Sequence, residues 1–224
     1  MTEPLKIDIW SDIACPWCYI GKRLLEAGIA AYSAGGPERP PVEVEYHSFQ
    51  LSPDTPAGFQ GSVVDFLVRQ KHMSEVQVRS MLDRVTGIAL EEGLHYDFGS
   101  VRHTNTLKAH ELLHYAKAHG VQLELKERLL KAYFVEGRHV GRPEDLADLA
   151  AEVGLDREDA LRALRDDDYA GAVAADQRLA AQYGIQAVPF FVIDGRYGLS
   201  GAQPAETFAR VLAEVAAERE ESAA

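Results

Sequence analysis

The sequence is poor in cysteine, in positive charge and in long apolar runs. Two cysteines occur in 224 residues, Cys15 and Cys18. With nothing else to pair with either, a small secreted disulfide scaffold is excluded. Lys and Arg total 23 against 35 Asp and Glu, a formal net charge of −12. Such a chain is repelled by phosphate backbones and anionic lipid, so neither nucleic acid nor a membrane surface is an expected partner. No stretch approaches the roughly 18 apolar residues of a membrane span. The start has no basic segment, no apolar run of signal length and no small-residue cleavage site, so the expected location is the cytoplasm. The remainder is ordinary: 46% hydrophobic and 26% charged residues, ample for a core without staples.

Three zones follow along the chain. In the first, Leu5–Trp10 alternates like a strand and leads into Cys15-Pro16-Trp17-Cys18. A helical pattern through Ile20, Leu24 and Ile29 stops at Gly35-Gly36-Pro37, and Val42–Tyr46 alternates again. That is strand–helix–strand. The second zone, 62–168, shows no convincing strand and reads as about six short helices. Ser62, Ser74, Asn105 and Asp156 suit helix starts, Pro143 a first helical position, and Gly93, Gly120, Gly137 and Gly154 helix ends. In the third, an Ala-rich helix ends at Gly184. Val188–Ile193 reads as a strand, Asp194-Gly195 as a hairpin turn, Arg196–Ser200 as its partner, and a last helix runs to about Arg219 before a frayed tail. Strands thus lie at the two ends of the chain and helices in the middle. The expected fold is α/β: one sheet domain (1–61 and 169–224) interrupted by a helical insertion domain (62–168).

The two cysteines carry the chemistry. A Cys-x-x-Cys between a strand and a helix places Cys15 at a helix N-terminus, where unpaired N–H groups and the positive dipole end favour a thiolate. Cys18, one turn on, is placed to resolve a mixed disulfide formed by Cys15. Half of a zinc site is the competing reading, but structural zinc needs four ligands and there is no second pair. A purely structural disulfide closing so short a loop would remove little unfolded-state entropy. The expectation is therefore redox chemistry, with Cys15 the more exposed and more acidic thiol.

Three blocks then resemble a known family: Asp12–Arg23 around the cysteines, Asn105–His110, and Val188-Pro189-Phe190-Phe191 through Pro204. The chain resembles the DsbA-type branch of the thioredoxin fold, and within it the FrnE-like proteins, whose name comes from a polyketide biosynthesis cluster. The resemblance implies a thioredoxin fold with a helical insertion (DsbA-like) and protein-disulfide exchange without a cofactor. The substrate would be a disulfide- or thiol-containing protein or small molecule, with glutathione or a thioredoxin-like protein to recycle the pair. It implies a cis Val188–Pro189 bond facing the cysteines. Such a bond would turn the Val188 backbone outward, free to pair with an extended substrate. It also makes the loop around Phe98 and Asn105 a candidate substrate wall. Kappa-class glutathione transferases and hydroxychromene-carboxylate isomerases share the insertion but carry Ser in place of Cys15. A glutathione-dependent isomerase or transferase is thus one rival, and an accessory protein with a vestigial Cys-x-x-Cys the other.

Three further residues or motifs stay open. Asp12 could relay protons or cap a helix. Trp17 could be a substrate platform or core. His110-Glu111-Leu112-Leu113-His114 matches the H-E-x-x-H zinc pattern, but no third ligand falls at the expected spacing, and an amphipathic helix is expected instead. No metal site is expected. Trp17 between the cysteines, with Asp8 and Asp12 nearby, argues for a potential nearer thioredoxin than the oxidising DsbA proteins.

Overall fold

A computed structural model describes residues 3–59 and 61–223, with Ala223 described by its backbone only. Strand β1 (Leu5–Ser11) leads to helix α1 (Pro16–Ser33) and strand β2 (Val42–Ser48). Strand β3 (Gly61–Ser62) opens the middle zone. Helices α2 (Val63–Lys71) and α3 (Glu75–Glu91), strand β4 (Arg102–His103), and helices α4 (Leu107–Ala118), α5 (Gln122–Phe134), α6 (Pro143–Glu152) and α7 (Arg157–Arg165) complete it. Then come α8 (Ala170–Gln182), β5 (Phe190–Ile193), β6 (Tyr197–Ser200) and α9 (Ala205–Ala223).

The main sheet has the order β2-β1-β5-β6, with β1 parallel to β2 and antiparallel to β5. The two ends of the chain therefore build one sheet, as the zonal pattern predicts. Alternation along β1 sorts its side chains. Leu5, Ile7 and Ile9 join Leu25, Tyr32, Phe208 and Leu212 in a core under α1 and α9. Trp10 lies among the residues of a second core with Ala180 of α8 and both cysteines. Each fully buried Leu or Phe contributes about 1.5–3 kcal/mol. Gly28 lets α1 and α9 meet: a Cβ there would lie 2.6 Å from Phe208 Cβ and 2.8 Å from the Ala205 carbonyl oxygen.

Asp194 and Gly195 both have positive φ (57° and 66°), the type I′ geometry that suits a two-residue hairpin. Ser62, Ser74 and Asp156 cap α2, α3 and α7 as the sequence suggests; Ser62 and Ser74 close full capping boxes, whereas Asp156 forms only the side-chain cap to Asp159 N. Two expectations fail. The middle zone contains a strand pair, β3 with β4, two residues each and too short to leave an alternating signature. The tail is helical to Ala223, where Arg219 bonds Asp194 and the carbonyls of Glu3 and Pro4; Ala224 lies outside the described residues.

The insertion is not a separate ball. Its core takes in Ile13, Tyr19 and Ile20 from around the cysteines. Helix α5 docks on the open edge of the sheet, where the Gln122 side-chain amide accepts from Tyr46 N and donates to Tyr46 O, both at 2.9 Å. This side chain imitates a neighbouring strand and blunts the edge.

Candidate active site around Cys15 and Cys18

Cys15 is the residue before α1, in extended conformation, and Pro16 starts the helix without losing a hydrogen bond. Cys18 N donates to Cys15 O at 3.0 Å in that first turn. Both thiols are free and buried, Cys15 4% and Cys18 2% exposed. Cys15 lines a cavity of about 420 Å³; Cys18 is not among its lining residues. The helix start thus separates an outer sulfur from an inner one, although the outer one is far less exposed than the sequence suggests.

Val188–Pro189 is cis, as the resemblance implies. Cys15 Sγ lies 3.5 Å from the Val188 carbonyl oxygen, an acceptor for its proton. Gly21 makes room for this arrangement: a Cβ there would lie 2.9 Å from Pro189 Cγ and 3.4 Å from Phe191 Cζ. Trp17 is 41% exposed and lines the cavity with Val188 and Phe98. Phe66, Leu82 and Phe134 extend an apolar wall into the insertion, with His103 and Thr104 among them.

Asn105 departs from its expected role. It does not line the cavity. Its amide nitrogen donates to Pro53 O and Thr55 O, and its oxygen accepts from Gln50 and from Leu107 N. It braces the 50–55 loop, and that loop contributes Leu51, Ser52 and Thr55 to the wall. Nor is it the N-cap of α4, a place taken by Thr106.

The acidity of the thiols also departs from expectation. The two titrate as one unit. The hydrogen bond to Cys18, then burial, pushes the Cys15 thiol well above the usual range. Burial opposes ionisation of Cys18 too, but the Cys15 thiol and the charge of Lys126 outweigh it and hold Cys18 below that range. The pair therefore releases its first proton early and its second late, and the better-stabilised anion is the inner sulfur. Shifting one proton from Cys15 to Cys18 exposes a Cys15 thiolate to the cavity. A buried cation acts on Cys18 in addition to the helix dipole.

That cation is Lys126, fully buried on α5, its Nζ without a hydrogen-bond partner. A signal for it exists in the sequence. Gln122, Leu125, Lys126, Leu129, Leu130 and Tyr133 form one helical stripe, and Lys126 occupies a core position in it. Asp12 is buried as well. Its carboxylate accepts from Leu51 N at 2.8 Å and from His110 Nε2 at 3.2 Å. It reaches Ala14 N only at 3.4 Å, so it joins the site to the insertion and is not the cap of α1. His110, held below its usual range chiefly by burial, is neutral, and its Nδ1 has no partner.

The H-E-x-x-H residues are divided among other tasks. His110 bonds Asp12, Glu111 pairs with Lys108, and His114 bonds Ser48 and Asp176. Asp8, expected to press on the thiolate, is paired instead with Lys6 and His47. Asp8, Glu45 and His47 are the three groups that could share an ion among the described residues, but Lys6 Nζ already lies 3.1 Å from each of the two carboxylates. Among the described residues no helix is long and apolar enough to cross a membrane.

Comparisons with known proteins agree with this geometry. An uncharacterised Bacillus subtilis protein, YwbO, is 29% identical over 93% of this chain and 96% of its own length. The crystal structure of the probable DsbA oxidoreductase SCO1869 from Streptomyces coelicolor shares 40% identity with a TM-score of 0.85, covering 94% of this chain and 89% of that one. The cytosolic disulfide reductase DsbM from Pseudomonas aeruginosa, solved with GSH, shares the fold at 19% identity and a TM-score of 0.65, over 94% and 98% of the two chains. The model of the DSBA-like thioredoxin domain matches residues 6–213, and the chain belongs to that family.

Proposed function

We propose that the protein is a thiol–disulfide oxidoreductase in which Cys15 exchanges with the substrate and Cys18 resolves the mixed disulfide. One observation carries this reading: two free thiols share a helix start at which only Cys15 lines the cavity, with the Val188 carbonyl beside it. In the reducing direction the Cys15 thiolate attacks a substrate disulfide and one substrate thiolate leaves. Cys18 then attacks Cys15 Sγ, the second substrate thiolate leaves, and Cys15–Cys18 closes. The oxidising direction is the reverse.

Trp17, Val188 and Phe98 are the proposed substrate contacts, with Pro189 holding the Val188 backbone at the sulfur; Asn105 acts through the loop that it braces. A wall this apolar favours an extended apolar segment or a small apolar disulfide over a highly charged one. We assign no resident cofactor. Glutathione is the proposed recycling partner, supported by the shared fold of DsbM, which was solved with GSH. A cytoplasmic location follows the same analogy. The narrower FrnE-like assignment and its polyketide setting rest on the three sequence blocks alone.

Insulin-disulfide reduction tests the proposal. Turnover by the wild type should vanish in Cys15→Ser and fall to a single exchange in Cys18→Ser. Tight glutathione binding with no dithiol turnover would favour the isomerase or transferase reading instead.

A further inference from the structure

A second cavity, behind the wall of the cysteine site, takes no part in thiol–disulfide exchange. Its volume is about 560 Å³, and Arg102, His139 and Arg142 line it together with Phe59, Ser100 and Gly137. The β3–β4 pair stands between it and the cysteines. Register sets Ser62 opposite Arg102 and Gly61 opposite His103. Successive side chains of a strand point to opposite faces. His103 is accordingly buried and lines the Cys15 cavity, whereas Arg102 is exposed and lines this one. Gly137 lets the facing loop come close. Its φ is 62°, and a Cβ there would lie 2.7 Å from both Cβ and the carbonyl oxygen of Ser100. This approach brings the loop of His139 and Arg142 against the segment that leads to Arg102.

The charge of this cavity is opposite to that of the chain. The net charge is −12, yet among the described residues no Asp or Glu lines the cavity. Arg102 enters no ion pair among the described residues, and Arg142 meets Asp145 only at 3.9 Å, longer than the roughly 2.7–2.9 Å of a charge-assisted hydrogen bond. The carboxylates bonded to the rim are engaged there: Asp65 accepts from Ser62 N and Oγ, and Asp97 from Gly99 N. His139 adds a donor. Its Nδ1 accepts from Gly141 N at 3.1 Å, which leaves the ring proton on Nε2. Burial and the Arg142 charge hold the ring below its usual range, so it is neutral. Two guanidiniums gathered around one space repel each other, and an anion between them would offset that cost.

We propose that this cavity binds the phosphate group of a small organic ligand, held by Arg102, Arg142 and the His139 ring N–H. Guanidinium presents a planar fork of N–H donors that matches phosphate oxygens in pairs. Two such groups balance a dianion, whereas a carboxylate would leave one positive charge without a partner. The space is larger than a bare phosphate fills, and Phe59 gives it one apolar side. The ligand therefore carries an organic body beyond the phosphate. The site is separate from the cysteines, and the proposal does not depend on the redox reading.

The test is a titration of the full chain with inorganic phosphate, phenyl phosphate and acetate, at fixed, slightly alkaline pH and matched ionic strength. The readout is the NMR signal of the His139 ring, which His139→Gln identifies. Inorganic phosphate should move this signal saturably. Phenyl phosphate should bind more tightly, and acetate about tenfold more weakly or less. Arg102→Gln and Arg142→Gln should each weaken phosphate binding by about tenfold or more. Both should melt as the wild type does, since neither side chain is in the core. No saturable shift, a shift that sodium chloride reproduces, or an unchanged phosphate affinity in both variants would overturn the site. Acetate as tight as phosphate, or phenyl phosphate no tighter than inorganic phosphate, would overturn the ligand assigned to it. Should either variant not fold, the comparison of the three ligands and sodium chloride on the wild type decides alone.

Discussion

Two buried polar clusters flank β1, and they are built differently. On the α8 side, His47 lies between Asp8 (2.7 Å) and Asp176 (3.0 Å) and stacks on Trp10. Asp176 also accepts from Ser48 N and pairs with His114. On the insertion side, Asp12 is satisfied, but Lys126 Nζ, His110 Nδ1 and the Ser11 hydroxyl have no partner. Buried polar groups are normally paired, so unpaired ones call for an explanation. The paired cluster reads as a device that joins α4, α8 and the sheet. The unpaired one lies around the cysteines, where charge appears and disappears with redox state. The difference teaches that, of these two clusters, the fully paired one joins the scaffold and the incompletely paired one adjoins the cysteines.

The largest test breaks the paired cluster. Asp176→Ala strands His47, His114 and Ser48 N. It should cost about 3–5 kcal/mol, roughly 10 °C in melting temperature for a chain of this size, while the thiolate midpoint stays put. A loss under about 1 kcal/mol in thermal or urea unfolding would show that this cluster is not structural.

The pH dependence of stability separates the two sides next. Burial opposes the charge on His47, but Asp176 and Asp8 outweigh it and raise it to about 9. Its contribution, on the order of 2–3 kcal/mol, is complete below the unfolded value of about 6.5 and is lost as pH rises through 9. Near the cavity the sign reverses. Burial lowers His103 to about 4, so its contribution is complete above about 6.5 and is lost as pH falls toward 4. Urea unfolding across pH should therefore lose an alkaline limb in His47→Gln and an acid limb in His103→Phe. An unchanged profile in either variant would contradict the corresponding assignment.

A smaller effect sharpens the contrast. Lys126→Met replaces an unpaired buried amine with an apolar chain of similar length, so stability should change by less than about 1 kcal/mol or rise. A loss as large as that of Asp176→Ala would mean that Lys126 has a structural partner after all. The smallest shift is at Trp17. Trp17→His should make the protein more oxidising by tens of millivolts, at roughly 30 mV per 1.4 kcal/mol. No shift in a glutathione titration would assign the redox poise to Lys126 and the backbone alone.

These clusters mark what the sequence could and could not disclose. Cys15-Pro16-Trp17-Cys18 and Asp194-Gly195 were legible because their geometry is local: a helix start and a two-residue turn announce themselves within four residues. The ends-and-middle arrangement was legible from periodicity. His110 meeting Asp12, 98 residues away, and His47 meeting Asp176, 129 away, depend on packing that no local pattern encodes. The order of thiol acidity differs for the same reason: it turns on the burial and mutual hydrogen bond of the two thiols and, after these, on Lys126 from another zone of the chain. The bonds of Asn105 to the 50–55 loop leave no local signature, because they exist only once that loop folds over it.

The central claim is the division of labour between the two sulfurs, and peptide mapping after oxidation with glutathione disulfide tests it most directly. The wild type should form a reversible Cys15–Cys18 disulfide, and Cys18→Ser should accumulate a stable glutathione adduct on Cys15. An adduct on Cys18 in Cys15→Ser that forms faster, or a wild type in which no Cys15–Cys18 bond forms, would contradict the account.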